Sequence, residues 1–407
     1  MQAKLLVVAD DFTGALDTGI QFAKKGISTK IFINFNDVSL NEAGVIVVNT
    51  NTRHVAPEEA KRIVREITLR ARQSGIGYFY KKTDSALRGN IGSELEGMLS
   101  AVEETQMHFV PAYPKMNRTT VGGIQYIEGI EVAKSIFGED PFDAVKESNI
   151  SKLIAMQSEI DVSVIDNIEC PMVRGGIVIY DASTDTDIEK IAQKLKSKQS
   201  KVFAGCAGFA EHIAEIIDFD IETSKETKPY SSLFVVSASL NEKSILQIEY
   251  AKGNGFSVFT MDSEQKGNIL FVGSGEYREL IKRIQLDIDQ NEKVVLRSVE
   301  NIEMFYAQNE SDPDRLRVTI ADNMGSIAAE ILRTTDIVLF VIGGDLLQTV
   351  LVKLGITSVI PKKELFPGVV EFTISVDGCY KTIISKSGGF GDIECIVEVY
   401  KKISQKI

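Results

Sequence analysis

The chain has 407 residues, more than one hydrophobic core usually supports, so two domains are expected. Hydrophobic residues make up 44% and charged residues 25%, the balance of a soluble globular protein. The 57 Asp and Glu outnumber the 45 Lys and Arg, and the formal charge of −12 argues against nucleic acid or an anionic membrane as partner. A small molecule is the expected partner. The negative charge does not argue against a phosphate-containing ligand, because backbone amides can bind phosphate locally.

The four cysteines are far apart and form no CxxC pair, so the sequence predicts neither a zinc site nor a disulfide framework. The apolar run at the N-terminus is too short for a signal peptide, and no segment approaches the length that spans a bilayer. We therefore expect a cytoplasmic protein. The sequence does not fix the oligomeric state and leaves a homo-oligomer open.

The first half of the chain alternates strand-like apolar runs with helical periodicity. Strands are predicted at residues 5–9, 29–35, 44–50, 78–82 and 107–110. A first helix ends near Gly26, and two more are predicted at about 57–73 and 90–104. This alternation is typical of a mainly parallel sheet with helices on both faces.

A polar, charged stretch at residues 221–232 is interpreted as an interdomain linker. The α/β alternation then restarts, and the predicted elements are a strand at 233–236, a helix at 327–332, a strand at 337–342, a helix at 346–354, and strands at 369–376 and 380–385. The last two strands flank Asp377-Gly378, a hairpin signal. The sequence thus predicts two α/β domains, 1–220 and 233–407, each with a mainly parallel sheet flanked by helices.

The first motif, VVADDFTGA, carries Asp10, Asp11 and Thr13 at the end of the first strand. In open α/β sheets ligands bind at the carboxyl ends of strands, which favours a functional role. The alternative is that Asp11 or Thr13 only caps the following helix. Two adjacent aspartates favour function, because like charges side by side cost stability. Neither the Asp-x-Asp of haloacid dehalogenases nor a three-glycine dinucleotide fingerprint fits this spacing.

The second motif, KKTDSALRGNIGSEL, also joins a strand to a helix. It supplies two cations, a candidate base and a hydroxyl, which are Lys82 and Arg88, Asp84, and Ser85 respectively. An anionic substrate is the natural partner of Arg88, whose guanidinium can hold a carboxylate by two parallel hydrogen bonds. The alternative is a solvated loop with a structural Arg–Asp pair.

The third motif, VPAYPKMNRTTVGG, follows another strand and adds Arg118, Thr119 and Thr120. Alone it is weak evidence, because loops are often polar without a function. Three polar clusters at three strand ends of one sheet together favour a binding site.

In the second half, VIGGDLLQT and SKSGGFGD each join a strand to a helix through paired glycines. This arrangement presents backbone amides and a helix dipole to a phosphate, although each could be a simple tight turn. A third loop, SASLNEKS, ends the first strand of this half. Nucleotide binding is therefore predicted here, without a Walker A motif, since the dipeptide Gly-Lys is absent, and without the protein-kinase motifs.

Taken together, these motifs resemble the four-carbon acid sugar kinase family over nearly the whole chain. The resemblance is carried by ADDFTGA, KTDSALRGNIG, PAYPKMNRTTVGG with the later DPF at 140–142, the Ser237–Ser239 loop, the Gly343-Gly344 turn and KSGGFGD. It implies ATP-dependent phosphorylation of the terminal hydroxyl of a tetronate such as threonate, erythronate or an oxo-tetronate. It also implies that the N-terminal domain holds the sugar acid and the C-terminal domain holds ATP.

One segment departs from the family pattern. Members usually carry an acidic residue and then Thr-Ser after the paired glycines, whereas this chain has Asp345-Leu346-Leu347. The carboxylate is kept, but two hydroxyls that could hold phosphate or magnesium are missing. Thr349, one turn later, is a candidate to replace them.

Phosphoryl transfer needs alignment and charge neutralisation more than covalent chemistry from the protein. We expect Arg88 and Lys82, with Arg118, to hold the substrate. Either Asp11 or Asp84 would accept the proton of the attacking hydroxyl, and the choice between them stays open. The further candidate substrate ligands are Asp10, Thr13, Ser85 and Thr119.

Backbone amides of paired glycines are expected to hold the phosphates of the nucleotide, with a serine loop beside it. The candidate residues are Gly343, Gly344, Gly388, Gly389, Ser237 and Ser239. Magnesium should bridge phosphate oxygens, with Asp345 a candidate partner through water. Closure about the linker is expected to complete the site and exclude water.

Two alternatives of other classes remain. The altered segment after Gly344 would suit a non-catalytic sensor of sugar acid and nucleotide that kept the fold and lost turnover. A sugar-phosphate isomerase or dehydrogenase is disfavoured, because the chain lacks a dinucleotide fingerprint and a histidine or metal cluster.

Overall fold

The computed structural model describes residues 2–140, 143–166, 175–221, 229–300, 313–386 and 388–404. It divides into two compact units, Met1–Thr223 and Ser224–Ile407. Most of the predicted linker, and residues 141–142 of the DPF segment, lie outside the described residues. Within the described ranges, no helix is both long and apolar enough to cross a membrane.

The first unit alternates strands and helices, as its hydrophobic pattern predicts. Its strands are β1 (Leu5–Ala9), β2 (Thr29–Phe32), β3 (Val45–Asn49), β4 (Tyr78–Lys82), β5 (Gln106–Val110), β6 (Arg118–Val121), β7 (Ile124–Ile127), β8 (Ile130–Glu131), β9 (Val162–Ile165), β10 (Gly176–Tyr180) and β11 (Val202–Gly205). Its helices are α1 (Phe12–Ala23), α2 (Pro57–Gln73), α3 (Ile91–Leu99), α4 (Ile150–Ala155), α5 (Asp185–Ser197) and α6 (Ala207–Ile216).

A parallel sheet forms the centre of the first unit, in the strand order β2-β3-β1-β4-β11-β5-β10-β9. Every residue of β1 and β3 is buried, because helices cover both faces of a parallel sheet. Strands β6, β7 and β8 form a separate antiparallel sheet. Since β3, β1 and β4 are parallel neighbours, the segments that follow them meet at one edge.

Helix α2 shows why the sequence pattern works in this unit. Pro57 stands in the first turn, where its missing N–H costs nothing, and Glu58 and Glu59 face the positive end of the helix dipole. The buried stripe recurs at helical spacing: Ala60, Ile63, Val64, Ile67, Thr68 and Ala71. The predicted bounds, 57–73, are those observed.

Helix α3 is shorter than the predicted 90–104 and ends at Leu99. The hydroxyl of Ser100 donates to the carbonyl of Gly97 at 3.0 Å, a local bond that competes with continuation of the helix. The apolar side chains beyond this point still pack inward from a turn, which is why their spacing resembled another helical turn.

The second unit has the same alternation and one antiparallel addition. Its strands are β12 (Leu233–Ser237), β13 (Ser257–Thr260), β14 (Lys293–Arg297), β15 (Val338–Ile342), β16 (Ser358–Phe366), β17 (Val369–Val376) and β18 (Cys379–Lys386). Its helices are α7 (Glu242–Gly253), α8 (Ser263–Gly267), α9 (Gly275–Asn291), α10 (Pro313–Thr334), α11 (Gly344–Lys353) and α12 (Cys395–Ser404).

Within this unit the strands follow the order β13-β14-β12-β15-β18-β17-β16, parallel from β13 to β18. Strand β17 runs antiparallel to both of its neighbours, and the predicted hairpin joins it to β18 at Asp377-Gly378. The structure therefore confirms the prediction of two α/β domains with mainly parallel sheets. Helix α10 is much longer than the predicted 327–332, because its first half is too polar on its outer face to be recognised by hydropathy alone.

Candidate active site

Polar side chains collect where β3, β1 and β4 end. Asp10 and Asp11 follow β1, Asp84 follows β4, and Arg53 lies in the segment after β3. These three strands are adjacent and parallel, so their carboxyl ends bring the four side chains to one place.

One guanidinium connects the three carboxylates. Arg53 Nε donates to Asp10 Oδ2 at 2.6 Å, and Arg53 NH2 lies 2.8 Å from Asp11 Oδ1 and 3.9 Å from Asp84 Oδ1. Arg53 is absent from the sequence-predicted site. The signal that could have found it is its position, because an arginine directly after β3 reaches the same edge as the two aspartate motifs.

The fork of Arg88 is occupied by Asp84. Arg88 Nε and NH2 each donate to one oxygen of the Asp84 carboxylate at 2.9 Å, and the amide of Ala86 donates to the same carboxylate at 3.1 Å. This is the Arg–Asp pair considered as the structural alternative. Burial acts to raise the pKa of Asp84, but the hydrogen bonds and charge of Arg88 outweigh it and hold that pKa well below its ordinary value.

Asp11 has a different environment from Asp84. It is the N-cap of α1 and accepts a hydrogen bond from the amide of Gly14 at 3.1 Å, so the capping hypothesis is correct for this residue. Its side chain is 28% exposed, whereas that of Asp84 is 10% exposed. Burial, and then the charge of neighbouring Asp10, raise the pKa of Asp11 above its ordinary value. Of these two candidate bases, Asp11 is therefore the one that binds a proton more readily.

Asp10 and Lys82 complete the centre of the cluster. Asp10 is buried, and its Oδ1 has no hydrogen-bond partner among the described residues. A Cβ at Gly14 would stand 2.5 Å from Asp11 Oδ1 and 2.8 Å from Lys82 Nζ. Glycine at this position therefore lets the aspartate and the lysine close over the first turn of α1.

Arg118 enters from strand β6. Its NH1 donates to Ser85 Oγ, and its guanidinium lies 5.3 Å from the centroid of the Phe137 ring. The guanidinium of Arg88 lies 5.3 Å from the same ring, so Phe137 contacts both arginines. Arg118 Nε is buried without a hydrogen-bond partner in the part of the chain that the structure describes.

Two predicted threonines lie beside this cluster. Thr13 is half-buried in the first turn of α1, and Thr119 lies in β6 opposite Tyr126. Among the described residues, the ion pairs and hydrogen bonds of the cluster are made without either threonine.

A buried ion pair fixes the segment that carries Arg53. Lys81 Nζ lies 3.0 Å from Glu94 Oε2, and both side chains are buried. Thr52 donates its hydroxyl to Glu94, and Asn90 Nδ2 donates to the carbonyls of Thr52 and Val55 at 2.8 and 2.9 Å. The start of α3 thus anchors the backbone on both sides of Arg53.

In the second unit, three predicted loops follow the neighbouring strands β12, β15 and β18. The amide of Gly343 donates to the carbonyl of Lys386 at 2.9 Å, and the amide of Ser239 donates to Ser237 Oγ at 3.4 Å. A Cβ at Gly388 would stand 2.6 Å from Ser239 Oγ, so glycine permits the close approach of these two loops. The predicted serine and glycine residues of this half therefore lie together, and Gly344 begins α11 beside them.

The departure after Gly344 has a packing explanation. Leu346 and Leu347 are buried on the inner face of α11. The hydroxyl of Thr349 donates to the carbonyl of Asp345 at 3.0 Å within the helix, and a Cβ at Gly325 of α10 would stand 2.7 Å from the Thr349 methyl group. Thr349 stays a candidate to replace the missing hydroxyls, with its hydroxyl proton donated along the helix.

Asp345 lies in the first turn of α11 with its side chain 72% exposed, 2.9 Å from Arg317 NH1. In the described ranges, no three His, Cys, Asp or Glu side chains are grouped so that they could hold a metal ion. A single exposed carboxylate fits Mg²⁺ held chiefly by phosphate oxygens and water, and does not fit an all-protein metal site.

Comparison with known families matches both halves of the chain. Residues 5–213 match a family described as a sugar-binding N-terminal domain, and residues 234–396 match a nucleotide-binding C-terminal domain. The sugar-binding match covers the charged cluster, and the nucleotide-binding match covers the glycine loops.

Curated relatives and a solved structure cover nearly the whole chain. A D-threonate kinase of Salmonella typhimurium is 26% identical, over 95% of this chain and 95% of that protein. A D-erythronate kinase of Heliobacterium modesticaldum is also 26% identical, over 99% of each. A crystal structure of a Haemophilus influenzae protein, 20% identical, superimposes with a TM-score of 0.78 over 98% of this chain and 100% of that one, which establishes a shared fold.

Proposed function

Because this chain belongs to the four-carbon acid sugar kinase family, we propose that it uses ATP to phosphorylate the terminal hydroxyl of a tetronate such as threonate, erythronate or 3-oxo-tetronate. It is a sugar acid kinase, a phosphotransferase with an alcohol group as acceptor. The observation that carries the finer proposal is the charged cluster at the ends of β3, β1 and β4, which offers both cations and a carboxylate base to a small polyhydroxy acid.

The cations of the first unit would hold the substrate. Lys82 and Arg118 are assigned to its carboxylate and hydroxyls, with the NH1 group of Arg88 beside them. Arg53 is added to this set, since its guanidinium already contacts two carboxylates at the centre of the cluster. Asp10, whose Oδ1 is buried and unpartnered among the described residues, is the acceptor for a substrate hydroxyl.

Asp11 would accept the proton of the attacking hydroxyl. A general base must be within reach of the substrate and must bind a proton during the reaction. Asp84 is poorly suited, since Arg88 and a backbone amide hold its carboxylate in the ionised form. Asp11 is more exposed than Asp84, so a substrate can reach it. It is still largely buried, and this burial and the charge of Asp10 raise its pKa. Asp84 is assigned to keeping Arg88 in position.

Backbone amides of the second unit would hold the nucleotide phosphates. Gly343 and Gly344 open α11, and Gly388 and Gly389 follow β18. The amide of Gly343 already donates to the carbonyl of Lys386, so Gly344 and the loop of Gly388 and Gly389 offer the N–H groups at this edge of the sheet, and Gly343 shapes the turn. Ser237 and Ser239 line the same edge. Asp345 would hold Mg²⁺ through water, and that ion supplies charge neutralisation to the phosphates when it is bound.

The test is ADP release by purified protein with ATP and magnesium across a panel of C4 sugar acids. We expect turnover with one acid, loss of turnover in Asp11→Asn and Arg88→Ala, and loss on adding EDTA. Proton-coupled ³¹P NMR of the product should show the phosphate on the terminal carbon.

No turnover with any tetronate, despite measurable ATP binding, would overturn the proposal for this substrate class. That outcome would favour a longer sugar acid or a sensor of sugar acid and nucleotide. Turnover in the presence of excess EDTA would overturn the assignment of magnesium.

A further inference from the structure

Three buried side chains reach the glycine-rich segment 388–392 from the protein interior. Ser244 and Gln247 come from α7, and Lys386 is the last residue of β18. All of the hydrogen bonds they donate to this segment end on backbone carbonyls.

The contacts are dense for so short a segment. Lys386 Nζ donates to the carbonyls of Gly388 and Phe390 at 3.0 and 3.1 Å. Gln247 Nε2 lies within hydrogen-bonding distance of the carbonyls of Phe390, Gly391 and Asp392, at 3.0, 3.0 and 2.9 Å. Ser244 Oγ donates to the carbonyl of Gly388 at 2.8 Å.

These bonds determine where the amides of the segment point. In a planar trans peptide, the carbonyl of one residue and the N–H of the next point in opposite directions. The carbonyls of Gly388, Phe390 and Gly391 are drawn inward, so the N–H groups of Gly389, Gly391 and Asp392 are turned away from the buried donors. Successive backbone N–H groups that share a direction form an anion-binding concavity.

Converging carbonyl dipoles repel one another, and a buried cation offsets that repulsion. Lys386 is 2% exposed and Gln247 is fully buried, so neither can bond to bulk water in place of the carbonyls. Burial lowers the pKa of Lys386 to about 8, and its carbonyl partners accept hydrogen bonds from the charged and the neutral amine alike.

We propose that Lys386 and Gln247, assisted by Ser244, are positioning residues of the nucleotide site, which hold segment 388–392 in the conformation whose amides bind phosphate. The inference rests on the proposed function, because it takes the bound anion to be the phosphate chain of ATP or ADP. The three residues do not contact the phosphate themselves. They act through the peptide groups that they orient.

The test compares binding of ADP and of adenosine by isothermal titration calorimetry. Lys386→Met and Gln247→Leu remove the donors while keeping similar volume. We expect each to weaken ADP binding about tenfold, because the amides that these residues orient would no longer be aligned to donate to the charged phosphates, and to change adenosine binding less than about twofold. The matched control is Lys381→Met, since Lys381 lies in the same strand and donates to the carbonyl of Thr335 at 3.0 Å. We expect it to bind both ligands as the wild type does.

The split between the two ligands separates positioning from general damage. Equal loss of ADP and adenosine binding, or unchanged ADP binding in folded variants, would overturn the inference. If Lys386→Met does not fold, as judged by its thermal melt, Ser244→Ala carries the same test with an expected loss of about threefold for ADP alone. Failure of the wild-type protein to bind ADP would instead overturn the proposed nucleotide function.

Discussion

The first unit builds its candidate site from charged side chains, and the second builds it from peptide groups. Around Arg53 the first unit gathers Asp10, Asp11 and Asp84, with Lys82 and Arg88 beside them. The second unit gathers glycine and serine loops, and the buried lysine beside them, Lys386, donates to backbone carbonyls of segment 388–392. Among the residues predicted for the nucleotide site, all of which the structure describes, only Asp345 is acidic.

Because one site is built from charged side chains and the other from peptide groups, the two sites should respond to different changes. Charges in a buried cluster must be balanced locally, so a single substitution or a change in pH alters the whole network. A site made of peptide groups carries little charge of its own, and it is altered when the backbone changes direction. Substitutions should therefore affect rate and acid dependence in the first unit, and phosphate affinity in the second.

The largest effect is expected from Asp11→Asn. Asparagine keeps the N-cap of α1 but cannot accept the proton, so we expect kcat to fall by about 10²–10⁴-fold while ADP binding is unchanged. Steady-state ADP release measures the rate, and calorimetry measures ADP binding. Asp37→Asn, an exposed aspartate of the same unit, serves as control. A variant that keeps more than a tenth of the wild-type kcat would remove Asp11 as the base.

The pH dependence of kcat distinguishes the two candidate bases. A base acts only when deprotonated, so the rate falls about tenfold per pH unit below its pKa. The pKa of Asp11 is raised by burial and by Asp10, so we expect the acidic limb to lie above the ordinary carboxyl value of about 4. Asp84, whose pKa is held low by Arg88, would instead place that limb below it. The profile should be recorded only where the thermal melt shows a folded protein.

The next effect is on stability. Arg53→Met leaves Asp10, Asp11 and Asp84 without their shared cation in a largely buried setting, and we expect a loss of about 3–5 kcal/mol in the free energy of unfolding of the first unit. Urea unfolding measures it. Arg62→Met is the control, since Arg62 makes ion pairs on the exposed face of α2 and should change stability little. A similar small change for Arg53→Met would contradict the central role of this residue.

The smallest effect is expected from Phe137→Leu. The ring of Phe137 contacts the guanidinium groups of Arg88 and Arg118, and such contacts contribute about 0.5–2 kcal/mol. We therefore expect the KM for the sugar acid to rise about 2- to 30-fold with a smaller change in kcat. Phe366→Leu, where Lys402 Nζ lies 4.1 Å from the ring centroid in the second unit, should leave that KM unchanged. An unchanged KM in Phe137→Leu would show that the ring does not orient the arginines.

Much of the fold could be predicted from periodicity, and the exceptions have local causes. Strands β1 and β4 and helix α2 have the predicted bounds, because burial on defined faces imposes a clear pattern. Helix α3 ends early at the Ser100 hydroxyl, a local bond that hydropathy does not register. Hydropathy does not predict the polar first half of α10, because an exposed helix face resembles a loop in composition.

The candidate site could be predicted where side-chain chemistry is explicit. The motifs around Asp11 and Asp84 contain unusual groupings of charge, whereas Arg53 stands alone in its segment and is recruited by the strand order. Gln247 and Lys386 could not be assigned from sequence, because their role depends on which peptide groups they meet in three dimensions.

Asp11 stands at the beginning of α1 as well as at the centre of the charged cluster, and this double position has a consequence for the catalytic cycle. On the proposed mechanism, the carboxylate that accepts the substrate proton is also the acceptor for the amide of Gly14. A protonated carboxyl group is a weaker acceptor at the positive end of a helix. The helix terminus therefore favours return of the proton to solvent after each transfer, which would restore the ionised aspartate for the next turnover.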